Sequence, residues 1–191
     1  HKGRPYLEKI NFDFYDDKES LYEAYKKKEI NGFTALLYED VASFSERNDT
    51  TLHILKMAQY FAVYFNQTKS VPLADVEVRK ALNHATNRQE IIDGNFMGYA
   101  APVFSPIIPD FVGFTTTQSE RYPFDTGKAE EILENAGWKK QEDGTRKKDD
   151  ENLKIELTVH SEYADYLKIA EALKTQWAKV GVQLELSLVE D

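Results

Sequence analysis

The stretch from Lys154 to Val189 constrains the fold more than any other part of the chain. "KIELTVH" alternates apolar and polar residues with period two, the pattern of a half-buried strand. Tyr163, Tyr166, Leu167, Ala170, Leu173 and Trp177 then recur at helical spacing and mark a long amphipathic helix, which ends at Gly181. "VQLELSLV" returns to alternation and closes as a strand. Two strand patterns with a helix between them predict an α/β fold, a mixed α+β sheet, rather than an all-helical or all-β one.

The same alternation of periods runs through the upstream sequence. "INFDFY" (Ile10 to Tyr15) reads as a strand, and Asp16 and Asp17 can cap a helix whose face carries Leu21, Ala24 and Tyr25, up to about Lys28. Asn31-Gly32 breaks the chain, "FTALLY" predicts a second strand, and a short helix is expected near Val41 to Glu46. "TLHILKM" and "YFAVYFN" read as two more strands. Asp75 is a good N-cap for a helix carrying Val78, Ala81, Leu82 and Ala85 on one face. Asn87 followed by Glu90 resembles a capping box for the next helix, with Ile91, Ile92 and Phe96 on its buried side and Gly94 weakening its last turn. Between Gly98 and Pro123 lies a long loop rich in Pro, Gly and Thr, and a loop of that length in a compact domain is usually functional. Asp125 caps a helix with Ala129, Ile132, Leu133 and Ala136 toward the core, stopped by Gly137. "KKQEDGTRKKDDENLK" reads as a solvated hairpin with Asp143-Gly144 at its tip.

Chemistry is conspicuously thin. The chain has no cysteine, which excludes disulfides, thiolate zinc sites and cysteine catalysis. No two of His1, His53, His84 and His160 have close ligand spacing, so no metal site is expected; His84 reads as a helix-surface or packing residue. No nucleophile elbow is visible, and "TGKAEE" lacks the upstream glycine of a phosphate loop. Neither a catalytic residue nor a cofactor is expected. The 24 Lys+Arg against 33 Asp+Glu give a net charge of −9, which disfavours nucleic acid and anionic membrane as partners. At 191 residues the chain suits one domain or two small ones, and no apolar run approaches a membrane span. Tyr60, Phe61, Tyr64 and Phe65 are either core residues or, at a strand end facing a cleft, walls for a ligand.

The stretch from Phe65 to Ile107 resembles the family 5 extracellular solute-binding proteins, the dipeptide- and oligopeptide-binding receptors of ABC importers. The residues that carry the resemblance are Phe65-Asn66, then "DVEVRKALNHA" from Asp75, "EIIDG" from Glu90, Met97-Gly98-Tyr99 and Ser105-Pro106-Ile107. Tyr122-Pro123-Phe124-Asp125, Ala136-Gly137-Trp138 and "KIAEALKTQWAKVGVQLELSLVE" extend it, and "PYLEKINFDFYDDKESLYEAYKKKEING" is similar to an upstream family segment. Thr126-Gly127 and Asn87 depart from the usual residues at two helix starts.

This resemblance implies part of a type II periplasmic-binding-protein-like bilobal fold. Residues 1–57 resemble a piece of the first lobe and residues 58–191 part of the second, ligand-closing lobe. It implies the substrate-binding component of a peptide ABC transporter. The alternatives are a receptor for a nickel chelate or an oligosaccharide on the same scaffold, or a signalling or chaperone-like relative. The implied partners are a peptide ligand and the importer's permease subunits, with no nucleic acid. The expected location is the extracellular face of the cytoplasmic membrane, by a lipid anchor, or the periplasm. The chain is expected to be a segment of a longer receptor, with the main ligand-anchoring Trp, Asp and Arg positions beyond Asp191, and alone it would bind peptide weakly or not at all. Gln59, Tyr60 and Phe61 at one strand start, and His160, Ser161 and Glu162 in the loop after another, are expected to face the cleft. Strands left with unpaired edges in residues 1–57 would either repack or pair two copies into a homodimer.

Overall fold

The computed structural model describes residues 6–34, 36–55, 57, 59–109, 111–115 and 122–190. The chain divides into two compact units, residues 1–52 and 53–191.

The first unit is built on α1 (Lys18–Lys26) and α2 (Val41–Ser45), the latter preceded by one 3₁₀ turn over Tyr38–Asp40. The Ser20 N–H donates to Asp17 Oδ1 at 2.7 Å, so Asp17 is the cap of α1. Its core is aromatic. Tyr22, Tyr25, Phe33 and Phe44 pack with ring centroids 4.9–6.0 Å apart, and Phe44 is fully buried. The Tyr22 hydroxyl donates to Asp40 at 3.1 Å, and the Tyr25 hydroxyl to Thr50 Oγ1 at 3.2 Å.

Two expected strands do not form here. Residues 10–15 have no strand pairing, with Phe12 and Phe14 78% and 95% exposed. The described residues of "FTALLY" likewise form no strand; Phe33 joins the aromatic core and Tyr38 opens the 3₁₀ turn. Alternation reports a face, whereas a strand also needs a second strand to take its backbone hydrogen bonds. No described segment of this unit supplies one.

The second unit contains α3 (Val71–Ala74), α4 (Val76–Ala85), α5 (Arg88–Phe96), α6 (Thr126–Asn135) and α7 (Ala164–Ala178). Among the described residues its strands are β1 (Lys139–Lys140), β2 (Arg146–Lys148), β3 (Glu151–Asn152), β4 (Lys154–His160) and β5 (Gln183–Val189). β1, β2 and β3 make a small antiparallel sheet that includes the charged hairpin expected around Gly144, but it is not wholly solvated as expected, since Arg146 and Leu153 are buried. β4 and β5 pair in parallel from Lys154↔Gln183 to His160↔Val189, with α7 as the crossover. Ile155 and Val159 of β4 and Leu184 of β5 are buried, while Lys154, Glu156 and Glu185 face water. The two predicted strand patterns are therefore neighbours in one sheet.

α4 lies against α6, and Val78, Ala81, Leu82, Ala85, Ala129 and Leu133 are buried with Trp138, Leu173 and Trp177 in one core. Asp75, Asn87 and Asp125 each accept a backbone N–H from the first turn of the helix they precede. "TLHILKM" and "YFAVYFN" are not strands among the described residues. Ile54, Leu55 and Met57 are exposed, but Val63 and Phe65 pack on the core and Phe61 lies on Phe96, so the second run keeps its period-two inward face without a ladder. The capping box at Asn87 is only half intramotif: the Glu90 N–H reaches Asn87 Oδ1, but the Asn87 N–H donates to Gln176 Oε1 at 2.9 Å.

Arg146 is nearly fully buried under the turn that links α7 to β5. Its Nε donates to Val180 O at 2.8 Å, and Nη1 to Trp138 O at 2.8 Å and Glu134 Oε2 at 3.0 Å. Gly181 has φ +86°, and a Cβ there would lie 2.8 Å from both Arg146 Cγ and Gly144 O, so the turn requires glycine on two counts. Arg146→Ala removes the donors from two buried carbonyls and leaves a cavity. It should cost about 2–4 kcal/mol of stability in urea denaturation.

Glu134 takes a hydrogen bond from Lys139 and a second from Arg146, which hold its carboxyl below the ordinary glutamate value of 4.5. A depressed folded-state pKa stabilises the fold above the unfolded value, and that contribution is lost as pH falls through the folded one. Glu134→Gln should therefore flatten the acid side of the melting-temperature profile, below pH 4.5, and leave its alkaline side unaltered.

Candidate functional site

Because β4 and β5 are parallel, their carboxyl ends fall on one side, at His160 and Val189. In open α/β sheets, ligands bind in the crevice outside the carboxyl ends of the strands. Of the six residues expected to face a cleft, His160, Ser161 and Glu162 sit at this edge. The Ser161 N–H and Oγ–H both donate to Val189 O, at 2.9 and 3.1 Å, which extends the β4–β5 pairing by one residue. The Ser161 hydroxyl proton is thus committed within the fold, and its lone pairs remain as acceptors. Glu162 is exposed.

Phe61 reaches the same edge from a distant part of the sequence. Its ring lies 5.3 Å from Phe96 and 5.6 Å, edge-on, from Tyr166. Tyr166 lies 5.0 Å from Tyr163, and Tyr163 lies 5.2 Å from the His160 imidazole. The result is a continuous row, Phe96, Phe61, Tyr166, Tyr163 and His160. One end is rooted in the core at buried Phe96, and Phe61, Tyr166 and Tyr163 are 41%, 40% and 51% exposed. The fold therefore brings Phe61 and His160 into one row. Gln59 and Tyr60 are exposed beside Phe61 in the chain, and no ring contact joins Tyr60 to the row. The nearby Tyr64 phenol, followed by partial burial, raises the Tyr60 pKa above its ordinary value.

Sequence periodicity placed Tyr163 and Tyr166 on the buried stripe of their helix, and this is corrected. The stripe is buried only from Ala170 onward, with Leu167 half-buried, while the rings of Tyr163 and Tyr166 lie against His160 and half-exposed Phe61. The usable signal was their i, i+3 spacing directly after a strand end.

Other features do not converge here. His84 Nδ1 lies 2.8 Å from Pro123 O, and its ring meets Tyr122 edge-on at 5.4 Å, a packing role that fastens the return of the long loop to α4. A depression of about 350 Å³ between residues 63–67 and α4 is lined by Tyr64, Arg79, Asn83 and Tyr122, and includes none of the six expected residues. Among the described residues, no group of three or more His, Cys, Asp or Glu side chains could hold a metal ion, and no helix is long and apolar enough to cross a membrane.

A parallel two-stranded sheet crossed by α7, with exposed aromatic rings at its strand ends, makes the second unit a domain of mixed α/β type. The chain belongs to the bacterial extracellular solute-binding proteins, family 5, whose middle-region model it matches over residues 1–191. It is 34% identical over 122 residues to the oligopeptide-binding protein OppA of Lactococcus lactis subsp. cremoris, a match covering 63% of this chain and 20% of that protein. Its fold resembles NikZ of Campylobacter jejuni, solved with Ni(L-His), at a TM-score of 0.73 and 25% identity, covering 91% of this chain and 34% of that one. AppA of Bacillus subtilis, solved with a nonapeptide, shares the fold at a TM-score of 0.68 and 23% identity, again covering 91% of this chain and 34% of that one. The matched residues thus span about a fifth of the length of that OppA.

Phe61 is held by two ring contacts but remains 41% exposed, whereas Phe96 is buried. Phe61→Ala should cost about 1–2 kcal/mol and Phe96→Ala about 3–5 kcal/mol, measured by denaturation followed through tryptophan fluorescence.

Proposed function

We propose that this chain serves in the substrate-binding component of a peptide ABC importer, which captures dipeptides or oligopeptides outside the membrane and delivers them to the permease. The observation that carries the reading is the exposed aromatic row at the carboxyl ends of β4 and β5, in a chain of the family 5 solute-binding proteins with 34% identity to an oligopeptide-binding protein. Extended peptides are commonly held through main-chain hydrogen bonds, with side chains received in roomier, wetter pockets. His160, Ser161 and Glu162 supply polar groups at the site, and Tyr60 and Phe61 supply apolar wall; Gln59 completes the rim. The role is capture without catalysis and without a cofactor.

In this reading residues 1–57 belong to the first lobe and residues 58–191 to the second, which closes on the ligand. The protein works in the periplasm or is held by a lipid anchor at the outer face of the cytoplasmic membrane. Exposed Phe12 and Phe14 give the first segment the apolar surface through which two copies would pair.

A nickel-chelate receptor is the second reading, supported by the likeness to NikZ. Calorimetry of the full-length protein against di-, tri- and pentapeptides, and separately against a Ni(II)–histidine complex, distinguishes the two. Micromolar or tighter peptide binding is expected, weakened by about 5- to 10-fold in His160→Ala, the loss of one or two hydrogen bonds. Saturable binding of the nickel complex with no heat from any peptide would reverse the assignment.

A further inference from the structure

We infer that the aromatic row makes the site selective for peptides carrying an aromatic side chain, with Tyr163 and Tyr166 as the specificity-determining residues. This rests on the peptide-receptor reading and adds a preference to it.

Three observations carry the inference. The first is spacing. Successive ring centroids from Phe61 through Tyr166 to Tyr163 are 5.6 and 5.0 Å apart, and aromatic pairs favour centroid separations of about 4.5–7 Å in offset or edge-on arrangements. One further ring set against the row meets two of its members at once, whereas a branched aliphatic group gains only area. The second is rigidity. Phe61 is braced by buried Phe96, and Tyr166 and Tyr163 stand on the first turn of a 15-residue helix, so the wall is formed before a ligand arrives.

The third is the residue at the start of α7. Tyr163 occupies the N-cap and its side chain accepts no backbone N–H, whereas the side chains of Ser70, Asp75, Asn87 and Asp125 each accept one from their helices in the same unit. Ser, Thr, Asp or Asn at an N-cap is strongly preferred over other residues. A chain that forgoes this at its longest described helix has put an aromatic ring where local stability favours a small polar group. Departures of that kind concentrate at functional sites. The ring it gains is half exposed and contacts His160 and Tyr166.

The test is calorimetry of the full-length protein with the pentapeptides Ala-Ala-Xaa-Ala-Ala, Xaa being Trp, Phe, Leu or Ala, on the wild type and on Tyr163→Ser, Tyr166→Ser and Tyr163→Phe. The Trp and Phe peptides should bind the wild type about 5- to 10-fold tighter than the Leu peptide. Each Ser variant should reduce that ratio to about 2-fold or less, and Tyr163→Phe should keep it. Tyr163→Ser installs a favourable cap, so a melting temperature equal to or above the wild type is expected and shows that lost selectivity is not unfolding. Equal affinity for all four peptides, or a ratio that survives both Ser variants, would overturn the inference and leave the peptide reading standing. Failure of every peptide to bind would remove both.

Discussion

Two adjacent residues of α7 hold the second unit together. Gln176 is buried with its amide oxygen on the Asn87 N–H at 2.9 Å and its amide nitrogen on Asn87 O and Glu90 Oε2, both at 3.2 Å. Trp177 packs in the core and donates its indole N–H to Thr86 Oγ1 at 2.9 Å. The link between α4 and α5 is thereby fastened to the crossover helix of the parallel pair, across about 90 residues of sequence. A buried amide is costly unless its groups are paired, so this junction tolerates only one arrangement of the helices over the sheet. With that arrangement fixed, Phe96 at the end of α5 meets Phe61, and Phe61 meets Tyr166.

The site follows from a division of labour along α7. Its C-terminal half is spent on packing, with Ala170, Leu173 and Trp177 buried. At its start, beside His160 at the end of β4, the same helical spacing gives half-exposed tyrosines instead of core. The buried half and the Asn87 junction hold the exposed half rigid without contacting a ligand themselves. Binding domains gain affinity from such preformed surfaces, because less conformational freedom is lost when the ligand arrives.

Stability and recognition also separate in the charged residues. Arg146 satisfies carbonyls on two different segments and sets the turn at Gly181, so it acts on the fold. The surrounding ion pairs, Lys139 with Glu134 and Lys140 with Glu130, lie at the surface and contribute little each.

The sequence by itself determined the local elements whose causes are local. Asp17, Asp75, Asn87 and Asp125 cap where an N-cap was expected. Val78, Ala81, Leu82 and Ala85 are buried as their spacing required, and "KIELTVH" and "VQLELSLV" are strands. The order of family motifs also fixed the family, since that is a property of the string. Only tertiary structure decided whether an extended run found a partner: "INFDFY" did not, and "YFAVYFN" packed its alternate side chains without a ladder. It also decided that Gln176, not the capping glutamate, takes the Asn87 N–H, and that Tyr163 and Tyr166 join Phe61 and His160. Periodicity says which residues share a face, but what covers that face depends on residues a hundred positions away, and no local pattern encodes that distance.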